Sequence, residues 1–246
     1  AAADHLKTLA DVERCAAAGS SLFTIDPGEH VDGTADVADG STLRDRLVRL
    51  PWAALEDDER ALRARYLARP VEIDGGRVDF DEAALARAAV KYGRAVAHVA
   101  ALYRHLASLR PAGSFELEVS VDETDTPTSP AEHVYVASEL RRLGVRWVSL
   151  APRFVGRFEK GVDYIGPLDA VRADLLVHAA IARALGPYKL SLHSGSDKFS
   201  LYPAFAEATR GLAHLKTAGT SYLEALRTVA RVAPALLLEI YAFARE

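Results

Sequence analysis

A chain of 246 residues, half of them hydrophobic, is long enough to bury a sizeable core in one large domain or two small ones. Its net charge of −4 leaves no basic footprint for a phosphate backbone, which argues against nucleic acid as a partner. The single cysteine, Cys15, excludes an intrachain disulfide and a cysteine-based zinc cluster. The most apolar run, VAPALLLEIYAFA, is too short to span a bilayer and carries Glu239, so no membrane partner is expected. No leader pattern precedes the first element, and a cytoplasmic protein is the expectation.

In chain order, short apolar runs alternate with longer helical patterns. Strands are expected at ADHLKT near residue 5, then at 21–27, 115–123, 145–152, 188–195 and 211–219. Between them, LADVERCAAAG stops at Gly19, and a long helix follows the acidic cluster Asp79–Glu82 and stops at Pro111-Ala112-Gly113. Two further helices each open on a proline and close on a glycine: Pro130 with Gly144, and Pro167 with Gly186. The last helical stretch is interrupted at Pro234. Strand and helix in this alternation predict parallel strands with right-handed crossovers. Residues 32–80 break the rhythm and read as a helical excursion, a lid or a subunit contact, from one barrel-type domain spanning 1–246.

The tetrapeptide HLKT occurs twice, at His5–Thr8 and His214–Thr217, with no wider repeat around either copy. Strand parity says what each copy does. Phe23 and Ile25, Leu117, Val119 and Val121, Val148 and Leu150, and Leu190 and Leu192 share the apolar faces of their strands. The opposite faces carry Thr24 and Asp26, Glu118, Ser120 and Asp122, Ser149 and Arg153, and Ser191 and His193. In both HLKT copies the leucine goes outward, so His5 with Lys7 and His214 with Lys216 take the polar face. An open sheet covered on both sides would be apolar on both faces. One polar face suits a TIM-barrel-like parallel (β/α) fold with its site at the strand C-termini. A single sheet with a solvated face is the alternative.

Neutral imidazoles with a carboxylate are the donor set that zinc, manganese or nickel prefers, and His5, His193 and His214 lie in the inward set with Asp26, Glu118 and Asp122. His98, His105, His133 and His178 read instead as satisfied core or surface residues. In HSGSDK, Ser194-Gly195-Ser196 can turn backbone N–H groups toward an anion, with Lys198 adding charge. Arg153 in APRF can fork onto a carboxylate. Asp122, Glu123 and Asp125 in DETDTPTSP serve as ligand, base or helix cap. No GxGxxG fingerprint, Walker sequence or GxSxG elbow is present.

The segments EVSVDETDTPTSPAEH, VSLAPRFVGRFEKGVDYIG, GPYKLSLHSGSDKFSLYP and HLKTAGTSYLEALR closely resemble the tagaturonate epimerases of bacterial hexuronate catabolism, and ADHLKT and FTIDPGEHV fit as well. The resemblance runs from residue 3 to about 227. It implies a barrel enzyme, dependent on a divalent metal, that interconverts D-tagaturonate and D-fructuronate, sugar acids, or related ketohexoses. Members are roughly twice this length, so an internal fragment with about six of eight strand–helix units is expected. The two keto-uronates differ at a carbinol carbon β to the ketone, which simple enolisation cannot invert. Retro-aldol cleavage and re-addition is the expected route. Hydride removal and return would need a nicotinamide site that is not visible. On that route His193 and His214 would hold the metal, with Glu118 and His5 as further ligands. Asp26, Asp122, Lys7 and Lys216 are the acid/base candidates, a lysine acting as base if burial lowers its pKa. Arg153, Ser194 and Lys198 would hold the substrate carboxylate. A metal-dependent aldolase or lyase on sugar acids, and a non-catalytic fragment, remain the alternatives.

Overall fold

The computed structural model describes residues 1–111, 113–159, 161–194, 197–217 and 220–245, with the side chains at 220–224 left out. Strand β1 (Ala2–Leu6) leads through helix α1 (Leu9–Ala17) to β2 (Leu22–Ile25). Two short 3-10 turns, Gly28–His30 and Gly33–Asp36, open the excursion. It continues through α2 (Gly40–Val48), α3 (Trp52–Leu55), α4 (Glu59–Tyr66) and a hairpin of β3 (Val71–Ile73) with β4 (Gly76–Val78). The long α5 (Glu82–Leu109) returns the chain to β5 (Glu116–Ser120). Then follow α6 (Pro130–Arg142), β6 (Ser149–Ala151), α7 (Leu168–Leu185), β7 (Lys189–Leu192), α8 (Tyr202–Thr209), β8 (Ala213–Leu215), α9 (Thr220–Val232) and α10 (Pro234–Phe243).

All six expected strands form one parallel sheet in the order β1-β2-β5-β6-β7-β8. The sheet is curled. Laid flat, its edge strands would stand about 24 Å apart at about 4.8 Å per strand. Instead Lys216, just past β8, brings Nζ within 2.7 Å of His5 Nε2 on β1. This is a half-barrel. Its outer face matches the expected parity: Phe23, Ile25, Leu117, Val119 and Leu150 join one buried cluster with α5 and α6, while Leu190 and Leu192 join a second with α7 and α8. Each such side chain contributes about 1.5–3 kcal/mol on burial.

Local chemistry sets the element ends. Thr8, the last residue of the first HLKT, caps α1 in a capping box with Asp11. Ser129 and Glu132 do the same for α6, behind Pro130, and Asp81 caps α5 through Ala84 N–H at 2.7 Å. Gly19 and Gly144, both at positive φ, close the turns after α1 and α6.

The excursion packs as a wall against the helical layer. Leu43, Leu47, Leu55 and Leu62 are each 1–2% exposed and belong to the main core with α5. Buried Glu139 of α6 accepts hydrogen bonds from Arg65, Tyr66 and Arg142, which seals α4 onto the helical layer. The hairpin was not expected: three-residue strands offer too little alternation to be seen. At the other end, α10 packs on α9, and Leu238 and Phe243 stay 68% and 80% exposed. Among the described residues no helix is long and apolar enough to cross a membrane. Leu62→Ala should destabilise the whole fold by about 2–5 kcal/mol in denaturant unfolding; a segment acting as a lid would leave the midpoint unmoved.

Candidate active site at the half-barrel mouth

Glu118 anchors the polar face. Register places Thr24, Glu118 and Ser149 side by side on β2, β5 and β6, and Ser191 beside His214 on β7 and β8. Thr24 Oγ1 donates to Glu118 Oε1 at 3.1 Å and Ser149 Oγ to Oε2 at 2.6 Å. His193 Nε2 donates to Oε1 at 2.9 Å and His214 Nδ1 to Oε2 at 2.5 Å. Ser191 Oγ lies 3.2 Å from the same His214 nitrogen. Burial opposes the Glu118 charge, but the bonds from His193, His214 and Ser149 overcome it and hold the carboxyl far below its usual range.

His193 spans two carboxylates, with Nδ1 3.1 Å from Asp122. Burial disfavours its charge, yet Asp122 and Glu118 outweigh this and push the ring up to about 9. Asp122 is lowered in turn: burial raises it, but the bond to His193 prevails, with Ser120 helping. His193 is thus an imidazolium here with both nitrogens donating. As a metal ligand the ring would have to give up one of these protons to offer a lone pair.

The second cluster sits on β1. Its register slips between Ala3 and Leu6, and His5 takes a positive φ of 52°. The slip sends Ala3 and Leu6 into the core. Asp4 and His5 both meet Lys216 at the mouth. Asp4, hidden from strict alternation, accepts from Lys216 Nζ at 2.5 Å. His5 Nδ1 donates to Asp26 Oδ2 at 3.0 Å, while its Nε2 accepts from Lys216. Asp26 also accepts from Gly28 N–H at 2.9 Å, and a Cβ on Gly28 would stand 3.0 Å from that carboxylate oxygen. His5, Asp26 and Glu123 each offer a ligand atom, all within 4.8 Å of one another. The His5 and His193 rings lie 6.4 Å apart, so the clusters share one mouth. The two HLKT copies therefore meet, through Lys216 and His5.

Lys7, one of the acid/base candidates, lies at the rim of the mouth. Its side chain is 41% exposed, and Asp26 and then Glu29 raise its pKa, so it stays an ammonium at the rim. Lys198 is placed elsewhere. It is fully buried and donates to the carbonyls of Glu159 at 2.7 Å and Val162 at 2.6 Å, fastening the β6–α7 connection. Arg153 and Ser194 do come together, lining a cavity of about 300 Å³ with Asp122, Glu123, Asp125 and Phe158. Arg153 Nε is buried, with no hydrogen-bond partner among the described residues. Of the expected anion turn, Ser194 is at φ 49°, while Gly195 and Ser196 lie outside the described residues.

A residue not anticipated, Lys91 of α5, shapes this mouth from behind. Fully buried, it donates to Asp36 at 2.9 Å, Thr126 at 3.1 Å and Glu132 at 3.2 Å. The β5–α6 loop carrying Asp122, Glu123 and Asp125 is pinned this way. A lysine in a helical run gives no sign of such partners until the helix is docked.

The family model for tagaturonate epimerase matches residues 1–246. A tagaturonate/fructuronate epimerase of Thermotoga maritima is 47% identical over 239 residues, covering 97% of this chain and 48% of that protein. The fructuronate-tagaturonate epimerase UxaE of Cohnella laeviribosi, crystallised with one glycerol, superposes with a TM-score of 0.90 at 38% identity, over 99% of this chain and 49% of that one. Its native crystal form gives 0.88 at 37% identity. The chain spans about half the length of these relatives. A whole-chain family match, with this identity and superposition, shows that the chain belongs to the tagaturonate epimerase family.

Proposed function

We propose that this chain forms the catalytic mouth of an epimerase interconverting D-tagaturonate and D-fructuronate by retro-aldol cleavage and re-addition. The observation that carries the reading is the joining of two histidine–carboxylate clusters, His5 with Asp26 and His193 with Glu118 and Asp122, beside a cavity lined by Arg153. The sugar carboxylate lies against Arg153 and Ser194. The Arg153 guanidinium can fork onto such a carboxylate.

Asp122 lines the cavity with the His193 imidazolium behind it, and takes the proton of the β-hydroxyl. The C–C bond to the ketone fragment breaks, its electron pair passes into an enediolate, and the hydroxyl-bearing carbon becomes an aldehyde. The aldehyde turns, the bond re-forms on its other face, and Asp122 returns the proton to the new alkoxide. Nothing is oxidised or reduced overall. Lys216, held between Asp4 and His5, is the cation placed to steady the enediolate oxygen.

The donor set suits a divalent metal, zinc, manganese or nickel. His5, Asp26 and Glu123 would hold it, with His214 and Glu118 as the neighbouring pair. Such an ion supplies Lewis-acid stabilisation of negative charge beside it. The His5 Nδ1–H to Asp26 bond already fixes the ring with Nε2 turned to the mouth, the orientation that a carboxylate gives a ligating imidazole.

Proton NMR of D-tagaturonate with metal-stripped protein, resupplied with Mn²⁺ or Zn²⁺, should show fructuronate only after metal is added. Release of a three-carbon product would identify a lyase instead, and unchanged substrate with every metal would overturn the reading. His193 gives a test without turnover. With a folded pKa near 9 against an ordinary 6.5, its stabilising contribution is complete below pH 6.5 and is lost as pH rises through about 9. Its imidazole signals in metal-free protein should titrate near 9. In Glu118→Gln they should titrate lower, and the alkaline loss of stability should shrink.

A further inference from the structure

Behind the mouth, between α6 and α7, lies a buried polar chain that the proposed chemistry does not use. His133 and His178 are both fully buried, their Nδ1 atoms 2.8 Å apart. His133 Nε2 is 2.8 Å from Tyr188 Oη. His178 Nε2 makes no well-formed hydrogen bond and has Asp174 Oδ1 3.4 Å away. The other oxygen of Asp174 accepts Val155 N–H at 3.0 Å.

Charge and hydrogen-bond logic together give this chain one direction. The Asp174 carboxylate faces His178 Nε2 at 3.4 Å without a well-formed bond, and its negative charge favours a hydrogen over a lone pair on that nitrogen. With each ring neutral, His178 Nδ1 is then an acceptor and His133 Nδ1 a donor. His133 Nε2 in turn accepts from the Tyr188 hydroxyl. The neutral state fits the site, because full burial, with His178 adjacent, drives His133 well below its ordinary pKa. Burial pushes Tyr188 the other way, so its hydroxyl keeps its proton. Both Nδ1 atoms and His133 Nε2 are satisfied in this arrangement, whereas its reverse would turn the His178 lone pair toward a carboxylate.

The chain ends on the loop that shapes the cavity. Val155 follows Arg153 and Phe154, both of which line it. Phe154 packs edge-on against the His178 ring with centroids 5.6 Å apart. We propose that Tyr188, His133 and His178 form a one-way hydrogen-bond chain turned toward Asp174, and that Asp174, through its bond from Val155 N–H, is a positioning residue for Arg153. The positioning role rests on the reading of Arg153 as the holder of the substrate carboxylate; the direction of the chain does not.

Two arms test this on the full-length protein. Long-range ¹H–¹⁵N spectra of histidine-labelled protein should show the hydrogen on Nδ1 of His133 and on Nε2 of His178. Asp174→Asn keeps an oxygen for Val155 but turns an N–H toward His178, so both tautomers should swap. Simple packing would leave them unchanged, and unchanged or opposite tautomers overturn the chain. Asp174→Ala removes the loop anchor and should raise KM for tagaturonate roughly tenfold with little change in kcat, less than the ~10²-fold that a 1 Å misplacement can cost. An unchanged KM in folded Asp174→Ala overturns the positioning role. If that variant does not fold, a KM that stays unchanged in Asp174→Asn, whose neutral amide anchors Val155 more weakly, does the same. Should the protein lack epimerase activity, the tautomer arm still decides the chain by itself.

Discussion

One buried charge organises the half-barrel. Glu118 is 0% exposed, in the middle of the sheet, where an unpaired carboxylate would cost several kcal/mol. It is tolerated because Thr24, Ser149, His193 and His214 all donate to it, and these come from β2, β6, the end of β7 and β8. Five of the six strands are thus tied to one carboxylate. Satisfying it requires the sheet to curl, since β8 must come far enough round for His214 to reach a residue on β5. Curl, register and ionisation state are then a single constraint, and the mouth inherits its shape from it.

The remaining strand is joined differently. β1 reaches the site through its bulge, which turns Asp4 and His5 toward Lys216 on the opposite edge. The loops that complete the mouth are held from outside the barrel, by Lys91 beneath the β5–α6 loop and by Asp174 and Lys198 beneath the β6–α7 connection. These anchors lie in the helical layer or the far loops, so the precision of the mouth depends on residues that never face it. Buried ion pairs such as Lys91 with Glu132 add little net stability compared with apolar packing. Their evident effect is to select one loop conformation.

Strand parity made much of this site legible in the sequence. Alternation alone put Thr24, Asp26, Glu118, Ser120, Asp122, Ser149, Ser191, His193 and His214 on one face, and the structure finds them there. Parity failed where the backbone breaks its period. The slip in β1 hides Asp4, because a strict count sends it outward with Leu6. It also failed for side chains whose partners are distant in sequence. Lys198 read as a charge added beside an anion-binding turn, yet two carbonyls nearly forty residues upstream engage it. Lys7 needed burial to act as a base, and the rim position of its ammonium became visible only with Asp26 and Glu29 around it. His133 and His178 read as satisfied core or surface residues; both are buried, and their pairing needed the docking of α6 on α7.

The two histidines of the mouth show how one cavity separates two kinds of chemistry. They are 6.4 Å apart and each is bonded to a carboxylate. His193 faces carboxylates on both nitrogens and has no positive neighbour bonded to it, so it holds a proton well above neutrality. His5 faces Asp26 on one nitrogen and the Lys216 ammonium on the other. An ammonium cannot accept, so the second nitrogen of His5 must present its lone pair. The same residue type thus serves as a fixed cation on β7 and as an electron-pair donor on β1. Groups whose environments drive their protonation apart are the pairs from which acid, base and ligand roles are built.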